Sequence, residues 1–138
     1  MRENQIIVRA LIHATREKTW NFYTAPAHIV QWNFADPSWH CPAAQNDLCI
    51  GGQYLARMEA KDGSFGFDFE ATYTEMHLGH GFVYQFGERF ASVEFQEQPT
   101  GTEVIIRFDP ENEHSLELQR DGWQAILNNF KKHCEASL

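Results

Sequence analysis

Residues 5–13, QIIVRALIH, alternate between two faces: Ile6, Val8, Ala10 and Ile12 fall on one and Ile7, Arg9, Leu11 and His13 on the other, which predicts a β-strand. The period then lengthens. Thr15 is placed to cap a short helix whose first turn carries Glu17, the right sign for the amino-terminal dipole, and whose bulk comes from Trp20, Phe22 and Tyr23. Pro26 suits the start of a second short helix over AHIVQW. Residues 33–43, NFADPSWHCPA, hold two prolines and no regular period, and predict a loop that carries Phe34 and Trp39.

Alternation returns at Asp47. The run DLCIGGQYLARMEAKDGSFGFDFEATYTEM reads as three antiparallel strands, with turns at Gly51-Gly52 and at Asp62-Gly63. In the third, Phe65, Phe67, Phe69, Ala71 and Tyr73 share one face, and Asp68, Glu70, Thr72 and Thr74 the other. Three more strands follow, with Phe82, Tyr84 and Phe86 in phase, then Ala91, Val93 and Phe95, then Val104, Ile106 and Phe108. The chain closes on HSLELQRDGWQAILNNF, residues 114–130. At about 100° per residue, Leu116, Gln119, Trp123, Ile126, Leu127, Phe130 and Cys134 fall on one side of this helix, and Glu117, Asp121, Gln124, Asn128 and Lys132 lie mainly elsewhere. The pattern is thus seven strands in one meander, interrupted after the first by two helices and ended by a third.

A chain of 138 residues with no linker, repeat or low-complexity stretch is expected to be one domain, residues 1–138. Aromatic residues make up 14% of it, with 11 Phe and 4 Trp, so the inward faces are unusually rich in rings. The net charge of −8 disfavours nucleic acid and anionic membrane surfaces as partners. No segment has the apolar run of a signal peptide or a membrane span, which points to the cytoplasm. Cys41, Cys49 and Cys134 are odd in number and lack CxxC spacing, so neither a disulfide framework nor a zinc site is indicated. His40, Cys41 and Cys49 offer three metal ligands with no fourth at a recognisable spacing. No cofactor or metal is expected.

The order of these elements, together with VRALIHATREKTWNFYT, HIVQW, WHCPAAQNDLCIGGQY, MEAKDGSFGFDFEATYTE and GTEVIIRFDPENEHSLELQRDGWQAILNNF, resembles the activator of 90-kDa heat-shock-protein ATPase homologues within the START-like (SRPBCC) superfamily. The D-x-x-x-GG spacing at Asp47–Gly52 and the terminal GW-x-x-x-L-x-x-F at Gly122–Phe130 are the most specific parts. The resemblance implies an α+β helix-grip fold: a curved antiparallel sheet of about seven strands wrapped around a long carboxy-terminal helix, with two short helices after the first strand. Relatives often carry a paired tryptophan where this chain has Trp32-Asn33, and an arginine where it has Cys49, so Asn33 is expected to make the interior more polar.

In a helix-grip fold the sheet and the long helix do not fully close, and the space between them is a cavity. From the helix, Trp123, Leu127 and Phe130 are expected to line it, with Gln119 as the first polar handle. From the sheet come Tyr54, Met58, Phe67, Phe69, Tyr73, Tyr84 and Phe108. Trp32, Asn33 and Trp39 complete the expected set. Gly122, which costs about 1 kcal/mol against alanine in a helix, is expected to let the helix backbone approach a neighbour and to free volume beside Trp123. The alternative for the same rings is that they simply fill a core, and for Gln119 that it reaches a backbone group at the rim.

The resemblance and the expected cavity imply a non-enzymatic binding domain for a small hydrophobic or aromatic molecule of unknown identity. A second reading is a protein-interaction module that docks on a chaperone or pairs with a second copy of itself. A third is an enzyme of the polyketide cyclase or dehydratase kind, as some helix-grip relatives are. The chain has no GxSxG, HExxH or phosphate loop. The catalytic candidates that remain are His40 near Asp36, with Asp68 or Glu70; Glu111, Glu113 and Glu117 read as favourable charges at the start of the last helix.

Overall fold

The computed structural model describes residues 4–136. Its elements are β1 (Ile6–Ile12), α1 (Arg16–Thr24), α2 (Pro26–Trp32), β2 (Trp39–Asn46), β3 (Gln53–Ala60), β4 (Gly66–His77), β5 (Gly81–Phe86), β6 (Arg89–Gln98), β7 (Gly101–Phe108) and α3 (Leu116–Ala136). The seven strands form one antiparallel sheet in the order β1-β7-β6-β5-β4-β3-β2. This is the helix-grip arrangement, a curled half-barrel with the long helix across its concave side. Among the described residues no helix is long and apolar enough to cross a membrane.

Local signals act where the pattern puts them. Thr15 accepts a hydrogen bond from the Lys18 backbone N–H and caps α1, and Pro26 begins α2. The Ser115 hydroxyl accepts from the Leu118 N–H at 3.0 Å and caps α3 in the same way.

The second strand lies elsewhere than the sequence pattern predicts. Residues 39–46, expected to be mostly loop, form β2, and residues 47–50, expected to be strand, belong to the connection to β3. The reason is edge position: β2 pairs with β3 alone, and a register shift between His40 and Ala43 accommodates Pro42, so neither alternation nor freedom from proline is required of it. The Asp47–Gly52 motif is the connection itself. Gly51 adopts φ +85°, and a Cβ on Gly52 would sit 2.2 Å from the Asp47 carbonyl oxygen, so both glycines are sterically required. A second shift, between Tyr73 and Glu75 in β4, ends the Phe65–Tyr73 alternation and turns Met76 toward the core.

Helix α3 is fastened at its flanks. On one side the Gln124 amide donates to the Arg9 carbonyl at 3.2 Å, Lys131 donates to the Leu11 carbonyl, and Glu135 accepts from the His13 backbone N–H at 2.9 Å. Opposing effects act on Glu135: burial pushes its carboxyl up, but Lys131 and His13 outweigh this and hold it at about 2. On the other flank the Asn129 amide donates to the Phe34 carbonyl in the loop after α2. Beneath the carboxy-terminal half of the helix, Phe130 packs edge to face on Tyr23 and Trp32 at 5.0 and 5.2 Å, and this is the solid part of the core.

Candidate ligand-binding site

Because α3 rests chiefly on β1 and on the short helices, its amino-terminal half spans β3, β4 and β5 without filling the space above them. A cavity of about 290 Å³ remains, near the lower end of the roughly 300–1,000 Å³ typical of small-molecule sites. Tyr54 and Met58 of β3, Phe67 and Phe69 of β4, and Tyr84 and Phe86 of β5 form its floor. Trp123, Ile126 and Leu127 form the roof, Ile106 and Arg89 close one side, and Tyr23, Trp32 and Asn33 the other.

Nine of the fourteen residues singled out from the sequence line this space: Trp32, Asn33, Tyr54, Met58, Phe67, Phe69, Tyr84, Trp123 and Leu127. The other five have different places. Phe108 is fully buried under Trp123, with ring centroids 3.9 Å apart, and supports the roof. Phe130 belongs to the solid core. Tyr73 is buried and donates its hydroxyl proton to Asn46 Oδ1 at 2.6 Å. Trp39 packs on Phe65 and Phe67 outside the rim.

Gln119 is the fifth. Its Oε1 accepts from the Glu111 backbone N–H at 2.8 Å, and its Nε2 donates to the carbonyls of Glu111 and His114 at 3.0 and 2.9 Å. These bonds staple the β7–α3 loop to the helix and use the amide fully, so of the two readings of Gln119 the structure has the backbone contact and not the cavity handle. Gly122 also departs from expectation: a Cβ there would meet nothing within 4 Å, so no close backbone approach demands glycine.

Five lining residues were not singled out: Tyr23, Phe86, Arg89, Ile106 and Ile126. The strand periods carried the signal for three of them. Phe86 is in phase with Phe82 and Tyr84, Ile106 with Val104 and Phe108, and Arg89 with the inward-facing Ala91, Val93 and Phe95.

The polar groups of the cavity differ in how they are held. The Asn33 amide donates to the Tyr54 hydroxyl at 3.2 Å. The hydroxyls of Tyr23 and Tyr84 make no hydrogen bond among the described residues, although both side chains are more than nine-tenths buried. Burial, then the neighbouring tyrosines, pushes Tyr23, Tyr54 and Tyr84 well above the ordinary tyrosine value, so all three keep their protons. Arg89 donates from Nε to the Asp109 carbonyl at 3.0 Å, and its guanidinium lies 4.8 Å from the Phe86 ring centroid.

The catalytic candidates are dispersed. Asp36 Oδ1 accepts from the Ser38 backbone and hydroxyl, which holds its carboxyl below the ordinary value. His40 faces Glu59 at 3.6 Å, Asp68 faces Arg57 at 3.4 Å, and Glu70 is exposed. None of them lines the cavity. His40, Cys41 and Cys49 do not converge either: Cys41 is buried with its thiol directed to the Ala43 carbonyl, while Cys49 is exposed.

The family model described as Activator of Hsp90 ATPase homolog 1-like protein matches residues 13–135. The chain belongs to this family. The AHSA1-like protein from Aeromonas hydrophila, solved in solution, is 37% identical over 96% of this chain and 93% of its own, with a TM-score of 0.91. A protein from Cytophaga hutchinsonii is 42% identical over the same shares, with a TM-score of 0.83. A protein from Chromobacterium violaceum shares the fold at a TM-score of 0.83 with 18% identity, over 97% of this chain and 99% of its own. No curated protein matches the chain. Within the matched residues, Asp47–Gly52 belongs to the β2–β3 connection and Gly122–Phe130 to the helix that roofs the cavity.

Proposed function

We propose that this AHSA1 family member is a non-enzymatic binding domain for a small hydrophobic or aromatic molecule held between α3 and the sheet. The cavity of about 290 Å³ beneath Trp123 carries this reading. Its walls are chiefly aromatic, and the unpartnered hydroxyls of Tyr23 and Tyr84 give a ligand polar groups to meet. The dispersal of His40, Asp36, Asp68 and Glu70 away from it supports binding over turnover. Thermal unfolding with and without a panel of fatty acids, fatty alcohols and aromatic metabolites tests it. A ligand at about 100 times its dissociation constant adds about 2.7 kcal/mol of stability. A flat response across the whole panel counts against the reading.

The family description names an Hsp90 ATPase activator, and this favours a second reading, docking on a chaperone of that class. Exposed Ile50 and Leu78 are apolar side chains available to such a contact. Stimulation of a bacterial 90-kDa chaperone's ATPase by the purified protein, undiminished when the cavity is blocked, would establish docking in place of ligand carriage.

A further inference from the structure

We propose that Arg89 makes the cavity selective for a small hydrophobic acid, whose carboxylate is gripped by the guanidinium while its apolar body lies among Phe86, Tyr84, Phe69 and Trp123. This rests on the binding reading above and names the chemical class of the ligand.

Among the described residues, Arg89 is the only charged side chain in the cavity wall. It arrives there by strand register: position 89 has the same parity as Ala91, Val93 and Phe95, so β6 turns it toward the core side. A charge on an apolar wall is costly unless something offsets it, and the protein's own groups do so only in part. Nε is committed to the Asp109 carbonyl at 3.0 Å, and the plane is placed against the Phe86 ring. The carboxylates of Glu111 and Asp109 favour its charge through space without forming an ion pair with it, and each accepts hydrogen bonds from other groups. Asp109 accepts from the Phe90 N–H at 2.8 Å and from Gln5 at 3.2 Å. Glu111 accepts from the His114 ring at 2.8 Å and from the backbone N–H groups of Glu113 and His114.

No ion pair engages the Nη donors among the described residues. Fixed by Nε and by Phe86, the guanidinium presents the forked donor edge that matches a carboxylate. The overall charge of −8 repels anions at long range. Preference for an acid therefore depends on this one contact, and it is screened by salt less than a surface pair would be. The size of the cavity suits a single ring system or a medium-length chain rather than a two-chain lipid.

Paired probes with one skeleton test the inference: naphthoate against naphthylmethanol, and decanoate against decanol, titrated into the full chain and followed by tryptophan fluorescence and by the Trp123 indole resonance. The wild type is expected to bind each acid roughly 10- to 100-fold more tightly than its alcohol, the range of a charge-assisted hydrogen-bonded pair. Arg89→Gln should bring the acid-to-alcohol ratio close to one, and the alcohol binding it retains reports that its cavity is folded. Arg89→Lys, which keeps the charge and loses the fork, should give an intermediate preference. Equal binding of acid and alcohol by the wild type, or an acid preference that survives Arg89→Gln, overturns the role of Arg89 and leaves the cavity reading standing. Failure of both members of both pairs to bind the wild type overturns the two together.

Discussion

The indole of Trp123 lies flat on the ring of Phe108, with centroids 3.9 Å apart and planes 8° from parallel. One ring comes from the helix and the other from β7, so the stack fixes the height of the cavity roof. Phe108 is fully buried and Trp123 only in part. Phe108→Ala should cost roughly 3–5 kcal/mol, and Trp123→Ala roughly 2, since part of that ring already faces open space. Because the rings touch, the double variant should lose less than the sum of the singles. Urea denaturation of the four proteins checks both statements.

Ile126 sits one turn beyond Trp123 and faces the same open volume. Ile126→Trp should narrow it beneath the roof while the fold survives, because the added atoms enter space rather than packed neighbours. The ligand-induced rises in melting temperature seen with the wild type should then shrink, most for the bulkiest ligands. A full rise in the variant would place the ligand elsewhere on the protein.

Gly122 offers the opposite experiment. No atom outside the helix's local backbone lies within 4 Å of a Cβ built there, so alanine is sterically free. Gly122→Ala should stabilise the protein by about 0.5–1 kcal/mol through helix propensity alone, raising the melting temperature by about 2–5 °C. Calorimetry measures this directly, and destabilisation would mean that the helix needs glycine's freedom.

Gln119 should behave as a structural staple. Gln119→Leu leaves the Glu111 N–H and the carbonyls of Glu111 and His114 without their side-chain partner. The expected loss is about 1–3 kcal/mol, with ligand dissociation constants close to wild type. Comparing chemical denaturation with ligand titration separates this from a direct role in binding.

Much of the fold was legible in the sequence because its determinants are periodic. Strands buried on one face must alternate, as Phe82-Tyr84-Phe86 and Ala91-Val93-Phe95 do, and α3 must carry an apolar stripe. Strand β2 was not legible because an edge strand with a bulge at Pro42 is under neither constraint. Within the site, periodicity gives the side of the sheet a residue faces but not how far the helix stands above it. Phe108 shares the inward face of β7 with Ile106, and Phe130 the inward stripe of α3 with Trp123 and Leu127, yet both fall where the helix presses close. For Gln119 two readings stay open, cavity handle or backbone contact, because a buried amide looks the same from sequence whether it meets a ligand or a loop backbone. Arg89 was passed over although its parity placed it inward, because a charge at the start of a strand reads as surface.

The pair formed by His28 and His133 gives a pH dependence whose sign follows from its geometry. His28 Nδ1 and His133 Nε2 are 2.9 Å apart, and His28 stacks on Phe22 at 3.8 Å, so the two imidazoles join α2 to α3. Burial first, then His28 and Lys18, lowers His133 below its ordinary value. The folded protein therefore binds its proton less readily than the unfolded chain does. The stabilisation is present above the unfolded value near 6.5 and is lost as pH falls from there through the folded value. His114 acts in the opposite direction, raised by Glu111, so the total pH profile does not isolate the pair. The difference between wild type and His133→Gln does, because glutamine can still hydrogen-bond but cannot titrate. Unfolding free energies measured from about pH 8 to pH 5 should show the wild type losing more stability toward acid than the variant. Parallel profiles for the two proteins would show that the imidazole contact does not couple proton binding to folding.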